Sequence, residues 1–446
     1  MKNKVITISL LIIVLGMLAS CKKEPSIISD EEMIDANGNV IVECVFQDGT
    51  GMYFRLLSAT TAEVTNRESF YGSESNLGYQ YRGKVVIPSK ITHLNNTYNI
   101  VAIGKSAFAR CELVESVVIP NSVVEIKERA FMNCSSLVSC NIPNTINSIQ
   151  EYTFSECKCL TSIILPNTVS SIGKRAFSFC TSLSEMALPN TLESIEDYCF
   201  CGTGITSMVI PHTVTVIGNG AFSQTNLTSI SFEEGSCLQR IGDWAFSCYG
   251  QAPMKGCPLK TIDLPNSLIY IGAYAFAECE ELESITIPES MHYVGKLAFG
   301  FCKKLKSVEY NAIDCNVVFE GYTGPGGSVS GRSWLYGCES LTDLSIGNIV
   351  QKIPSYAFYG ISTLTGTLIM PETLNDIGNG AFAGERFSSI KFMADEPLII
   401  HSYPASNDFN APKVYPFSCD IVYVPHQSVD IYKERWEHYR DIIVGF

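Results

Sequence analysis

The chain has 446 residues, 46% of them hydrophobic, and a formal charge of −14. This is the composition of a core-forming chain, long enough for two or three ordinary domains or one long repeat array, and it excludes wholesale disorder. No Lys/Arg run offsets the negative charge, which argues against nucleic acid or bare anionic membrane as a partner.

The chain begins MKNKVITISLLIIVLGMLAS. Lys2 and Lys4 precede an apolar stretch, Val5 to Ser20, that is short for a membrane span and suits a secretory signal. Leu18-Ala19-Ser20-Cys21 resembles the lipobox of bacterial lipoproteins. The resemblance implies cleavage before Cys21 and lipidation of its thiol; an ordinary signal followed by an incidental cysteine is the alternative. Two or more acyl chains give stable anchoring. The expectation is a signal at 1–20 and a polar tether at 21–38. The protein would be exported and held in the bacterial envelope by lipid alone, at the outer membrane and facing outward. Lys22-Lys23-Glu24 is mixed in charge and leaves the side of that membrane open.

From Asn39 the sequence alternates and is broken by Asp48-Gly49-Thr50-Gly51, a hairpin signal. Residues 39–102 are expected to form a small β cap with a partial repeat, KVVIPSKI. An open solenoid end would expose core and strand edges.

A ladder of phenylalanines follows: Phe108, Phe131, Phe154, Phe177, Phe200, Phe222, Phe246, Phe276, Phe299, then Leu335 in the same role, then Phe358 and Phe382. The period is near 23 residues, which predicts a solenoid over 103–395 of about 12 rungs. In the rung Ile172 to Ser194, Ile172, Ala176, Phe177, Cys180 and Leu183 follow a helical spacing, predicting a helical turn or two. Met186 and Leu188 then alternate with Glu185 and Ala187, predicting a short strand that Pro189 ends. Gly173 recurs as Gly104, Gly218, Gly242, Gly272, Gly295 and Gly378, where a side chain would be unwelcome. Stacked rungs would pair their strands in parallel and bury continuous ladders.

The rung IGKRAFSFCTSLSEMALPNTLES resembles the 23-residue repeat of BspA-type leucine-rich repeat surface proteins. The resemblance covers about residues 84–395. It implies a right-handed leucine-rich repeat solenoid, an α/β horseshoe rich in β, with a parallel sheet on the concave face and short helical or irregular turns on the convex face. It also implies adhesion or protein binding. Thr203 and Thr225 near the cysteine position, and the absent Pro after Phe232 and Tyr310, depart from the pattern.

Cys111, Cys134, Cys157, Cys180, Cys279, Cys302 and Cys338 share one repeat position. Stacked side chains there point the same way and sit too far apart for easy bridging, and a row of thiols is not a tetrahedron. Core packing is the reading, with disulfide or metal as the lesser alternatives. Cys248 and Cys257, in one insertion, are a candidate pair.

Two insertions, 248–258 and 311–334, break the period. The second is Gly-rich and flanked by Tyr310, Phe319, Tyr322, Trp334 and Tyr336, a candidate loop for a peptide or sugar ring; a tolerated surface insertion is the bland alternative. Residues 396–446 are expected to cap the array, with Val429, Tyr432, Trp436 and Tyr439 on one helical face after Ser428 as N-cap.

Gly326 to Ser333 has the spacing of a phosphate loop but carries Arg332 for Lys and lacks the strand–helix context. Asp35 to Asn39 resembles a calcium loop whose Gly comes too early. The six histidines form no metal motif and no G-x-S-x-G is present, so neither enzyme, metal nor cofactor is expected. The candidate binding face is the outward row of the strands, including Asn141, Glu185, Ser231, Asp263, Thr286, Glu309 and Asp343. It is read either as a solvated face or as a broad weak surface for protein or glycan ligands of a host or neighbouring cell. A monomeric adhesin is the first expectation, and a scaffold organising other envelope proteins the alternative.

Overall fold

The computed structural model describes residues 32–35, 37–45, 51–66, 81–247, 256–317, 320–323, 329–401, 403–404 and 413–446. Cys21, Phe319 and Cys248 lie outside the described residues. The chain divides into two compact units, residues 1–191 and 192–446.

The first unit opens with antiparallel strands Glu32–Ile34, Val40–Val45, Gly51–Leu56 and Thr61–Thr65. Thr61–Thr65 then pairs in parallel with Asn96–Ile103, and Ala102–Ile103 with Glu125–Ile126 of the next rung. Asp35, the calcium-loop candidate, spends its carboxylate on this cap. Its Oδ1 accepts from the Asn37 and Asn39 amides at 2.9 Å, and Oδ2 pairs with Arg55 at 2.8 Å. Buried Glu63 takes Arg55 at 2.6 Å and Lys127 at 2.7 Å, tying the cap to the second rung. A buried carboxylate held between two cations is costly to strip of either one.

The phenylalanine ladder is the core of both units. In the first, ring centroids step by 5.1, 5.3 and 5.5 Å from Phe108 to Phe177, with Tyr81 closing the ladder at 4.7 Å from Phe108. The Tyr81 hydroxyl donates to Thr65 O at 2.6 Å, so the end of the ladder has a polar partner. In the second unit, steps of 5.5, 5.4, 4.9 and 4.9 Å run from Phe200 to Phe299, and Phe358 and Phe382 stack at 5.2 Å.

The expected helical turns are not helices. Hydrogen bonds from Ala176 N to Gly173 O (3.1 Å) and from Cys180 N to Phe177 O (3.2 Å) close tight turns instead. The third residue of each is left-handed: Arg175 has φ 55° and Phe179 φ 58°. That is the type II geometry, and it breaks a helix wherever it recurs. The same two positions recur as Tyr152 (φ 57°) and Glu156 (φ 61°), and as Tyr274 (φ 56°) and Glu278 (φ 60°). The turns also bond rung to rung: the amides of Tyr152, Phe154 and Glu156 donate to the carbonyls of Lys174, Ala176 and Ser178.

Among the described residues most rungs also carry a two-residue strand that ends on an isoleucine or valine, which the alternation in the sequence does not reveal. Ser148–Ile149 pairs in parallel with Ser171–Ile172, and in the second unit Ser194–Ile195, Val216–Ile217, Arg240–Ile241, Tyr270–Ile271, Tyr293–Val294 and Asn316–Val317 form one parallel row. Glycine follows several of these strands because the rungs close up there. A Cβ on Gly173 would lie 2.8 Å from Glu151 N, and one on Gly295 2.4 Å from Ala273 N. The longer strands, such as Ser284–Ile287, Ser307–Tyr310 and Asp343–Ile346, are also parallel and in register. The segment Glu185–Leu188 keeps its in–out alternation but belongs to no hydrogen-bonded strand.

At the C-terminal end, strands Thr367–Met370, Phe387–Phe392, Cys419–Val424 and Ile443–Gly445 form a four-stranded parallel sheet. Tyr432, Trp436 and Tyr439 are buried against it, but the helix Val429–Arg435 is short and passes into a 3-10 segment, Glu437–Ile442. Ser428 makes no side-chain cap bond; its hydroxyl faces Asp395 Oδ1 at 3.4 Å.

Candidate functional site: the thiol ladder and the exposed strand face

The repeating cysteines are packed and hydrogen-bonded. Cys134, Cys157 and Cys180 donate to the carbonyl of the phenylalanine one rung back, Phe108, Phe131 and Phe154, at 3.0, 3.2 and 3.0 Å. Cys302 and Cys338 repeat this on Phe276 and Phe299 at 3.3 and 3.2 Å. Burial pushes the Cys180 thiol up to about 12. A thiol held protonated in the core is neither nucleophile nor metal ligand. Among the described residues no group of three or more His, Cys, Asp or Glu is placed to hold a metal ion.

Cys257 changes the reading of the first insertion. Its amide donates to Phe246 O at 2.8 Å and its thiol to Phe222 O at 3.3 Å, the two bonds of a ladder cysteine. The inserted residues therefore precede Cys257, which takes the ladder place itself. Its thiol is free and in the core, with Thr225 Oγ1 at 3.2 Å. Thr203 and Thr225 fill the ladder place differently, bonding back to Phe200 O and Phe222 O of their own rungs at 2.8 Å.

The second insertion is also narrower than its sequence limits. Asn316–Val317 pairs with Tyr293–Val294, so residues 311–317 complete a regular rung. The added part is the antiparallel hairpin Glu320–Thr323 with Val329–Arg332. Of the candidate aromatics, Tyr310 and Trp334 are fully buried and offer no ring face to a ligand. Trp334 fills core space beside Leu335, edge-on to Phe299 at 5.6 Å, with its Nε1–H donating to Ala357 O at 2.6 Å. Tyr336 is half-buried, edge-on to Phe301 at 5.6 Å and under the Arg332 guanidinium at 5.3 Å. Tyr322 lies in the hairpin backbone opposite Ser330.

The exposed strand face is assembled in pieces. In the second unit Thr286, Glu309 and Ser345 stand in register on three adjacent strands, with Ser284, Ser307 and Asp343 beside them. Thr286 Oγ1 and Asn311 Nδ2 both donate to the Glu309 carboxylate, at 3.2 Å each. Ser231 pairs with Val209 on a separate two-stranded piece, and Asp263 is exposed outside any strand. In the first unit Glu185 is exposed, whereas Asn141 is committed to structure: its amide group bridges Ile119 N and Ile119 O at 2.7 and 2.8 Å. The row is more apolar than its hydroxylic members suggest. In the first unit Ile164 (59% exposed), and in the second Val209 (56%) and Ile369 (55%), stand in full view of solvent. Their signal in the sequence is a branched apolar residue between two inward ones.

A model of the BspA type leucine rich repeat region (6 copies) matches residues 87–202, 148–252, 249–320 and 330–407. The chain belongs to the BspA-type leucine-rich repeat family. It is a parallel, strand-rich solenoid with few helices, as the family resemblance implies. Among solved structures it is similar to a leucine-rich repeat protein from Bacteroides ovatus, at 25% identity over 77% of this chain and 93% of that one, with a TM-score of 0.49. It is also similar to a leucine rich cell surface protein from Faecalibacterium prausnitzii, at 22% identity over 85% and 94%, with a TM-score of 0.39. The pneumococcal vaccine antigen PcpA follows at 16% identity over 93% and 97%, with a TM-score of 0.45. No curated protein matches the chain significantly.

Proposed function

We propose that this solenoid is a bacterial surface protein, lipid-anchored through Cys21 at the outer membrane, that binds protein or glycan ligands along its exposed strand face in adhesion. The observation that carries the reading is the contrast between the two sides of each strand. Ile285 and Val308 are buried, while Thr286 and Glu309 between the inward positions are exposed and in register from strand to strand. A rigid parallel row of this kind presents side chains at a fixed spacing of about 4.8 Å, suited to an extended or repetitive partner. Thr286, Glu309 and Ser345 include no aromatic anchor, so single contacts there are weak and many copies on one cell supply avidity.

The test is protease treatment of intact cells, with a periplasmic lipoprotein as the protected control. Clipping of this protein alone supports outward display. Adhesion is then compared between cells bearing the native chain and cells bearing Thr286→Arg with Ser345→Arg. Loss of adhesion at equal surface level supports the strand face as the binding surface. Protection until lysis, in a chain that the same protease cuts when purified, contradicts surface adhesion and favours a scaffold role inside the envelope.

A further inference from the structure

The exposed strand face changes character at the C-terminal sheet. Ile369, Lys391, Tyr423 and Val444 stand opposite one another on its four parallel strands, all within the second unit. Each follows a buried inward residue, Leu368, Ile390, Val422 or Ile443. Ile369 holds the repeat place of Thr286, between two buried apolar residues. Two residues on from Lys391 and Val444, the period of two brings Met393 and Phe446 to the same side. Val444 and Phe446 are each 46% exposed, Met393 is exposed, and Tyr423 is half-buried. The Lys391 ammonium lies 3.5 Å from the centre of the Phe446 ring, which ties the group together across the strands. Exposed apolar residues are normally scattered singly, and a contiguous group of them marks a binding surface.

The chemistry of the group selects its occupant. Among the described residues Lys391 has no carboxylate partner and rests on the Phe446 ring alone. The one carboxylate on these four strands, Asp420, is held by Arg386 at 2.7 Å. The neighbouring hydroxyls of Thr367 and Ser389 bond each other at 2.8 Å. Such a surface leaves the hydroxyls of a sugar without partners, but accepts apolar side chains and a carboxylate. A second copy of this chain would set one Lys391 against another across a shared apolar face, and the formal charge of −14 opposes self-association.

Building on the strand face as the binding surface, we propose that its C-terminal sheet docks an extended segment of a partner protein, with apolar side chains for Ile369 and Tyr423 and a carboxylate for Lys391. Three strand steps separate Ile369 from Val444, about 14 Å, which an extended chain covers in about five residues. Alternate side chains of that segment fall on one side, so an apolar, an acidic and an aromatic residue at every second position meet Ile369, Lys391 and the Tyr423–Val444 pair in turn. Tyr423 supplies the anchor that Thr286, Glu309 and Ser345 lack.

The purified full chain is panned against a library of seven-residue peptides displayed on phage, and the enriched peptides are synthesised and titrated calorimetrically. They are expected to carry apolar residues at alternate positions with Asp or Glu among them. Ile369→Thr and Lys391→Glu should each weaken binding about tenfold, and exchanging the peptide's acid for Lys should restore binding to Lys391→Glu. Ile369→Thr keeps a branched side chain at an exposed position, so its melting curve should stay with the native one. The titration uses purified chain and is independent of the intact-cell test: peptide binding without surface display leaves the site standing and removes adhesion. No enrichment, enriched peptides without an acid, or equal affinity of the native chain and both variants overturns the site. Concentration-dependent pairing of the native chain that Ile369→Thr abolishes makes the occupant a second copy, and glycan binding that the same substitution abolishes makes it a sugar; either overturns the peptide.

Discussion

The rungs around Phe131 and Phe154 and the rungs around Leu335 and Phe382 solve the same packing problem under different constraints. In the first region one residue fills one place. Phenylalanine stacks on phenylalanine, and each cysteine bonds the carbonyl one rung back. In the second region the places are filled from elsewhere. Trp334 supplies core volume beside Leu335, Tyr310 is drawn inside to meet Phe358 edge-on at 5.6 Å, and Glu385 replaces a thiol. The core of a solenoid is thus defined by place rather than by residue.

The comparison breaks most severely at its regular end. Phe154→Ala removes a ring stacked on both sides, at 5.3 and 5.5 Å, and is expected to cost about 3–5 kcal/mol in a denaturant titration of the full chain. Trp334→Ala should cost about as much or slightly less. Adding Leu335→Phe to it rebuilds the Ala-Phe pair of the other rungs and should recover most of the loss. Failure of that rescue would mean the rung is held by the hairpin and not by core volume.

Glu385 gives a smaller and pH-dependent effect. Its folded value is raised above the unfolded one, so its contribution is fully present below about pH 4.5 and is lost as pH rises through about 8. Melting curves at pH 5 and pH 8 should show the native chain losing stability relative to Glu385→Gln over that interval, on the order of 2–4 kcal/mol. A pH-independent difference would remove the raised carboxyl from the account.

The smallest effect belongs to the outer turns. Tyr152 is left-handed at φ 57°, a conformation that costs a side-chain-bearing residue about 1 kcal/mol, while the Arg129 guanidinium 5.3 Å above its ring returns a similar amount. Tyr152→Gly should therefore leave the denaturation midpoint nearly unchanged. A loss above about 2 kcal/mol would show that the outer stack carries more than cation–π attraction.

The regular region was legible in the sequence because each place there has one residue type. The period, Phe154 and Cys157 gave the ladders directly. The turns were misread because helical spacing and two successive type II turns place Ile172, Ala176, Phe177 and Cys180 on the same side. Only the left-handed Arg175 and Phe179 separate them, and neither is glycine. Cys257 was hidden by the residues inserted between it and Phe246. Tyr310 and Trp334 looked like loop aromatics because an insertion lies next to them, yet both belong to core places of flanking rungs. Glu385 had a signal, an acidic residue at the cysteine place, and counting three residues on from Phe382 finds it. The ligands of the exposed row have no such signal, since its residues answer to the partner and not to the fold.

The central claim is that the repeating cysteine is a piece of core. Its most direct test is thiol alkylation of the folded full chain, read cysteine by cysteine by mass spectrometry. Exposed Cys159 and Cys237 should label within the first time points, and Cys134, Cys157, Cys180, Cys257, Cys279 and Cys302 only on unfolding. Labelling of the ladder cysteines at the rate of Cys159, or their recovery as disulfides, would contradict the claim.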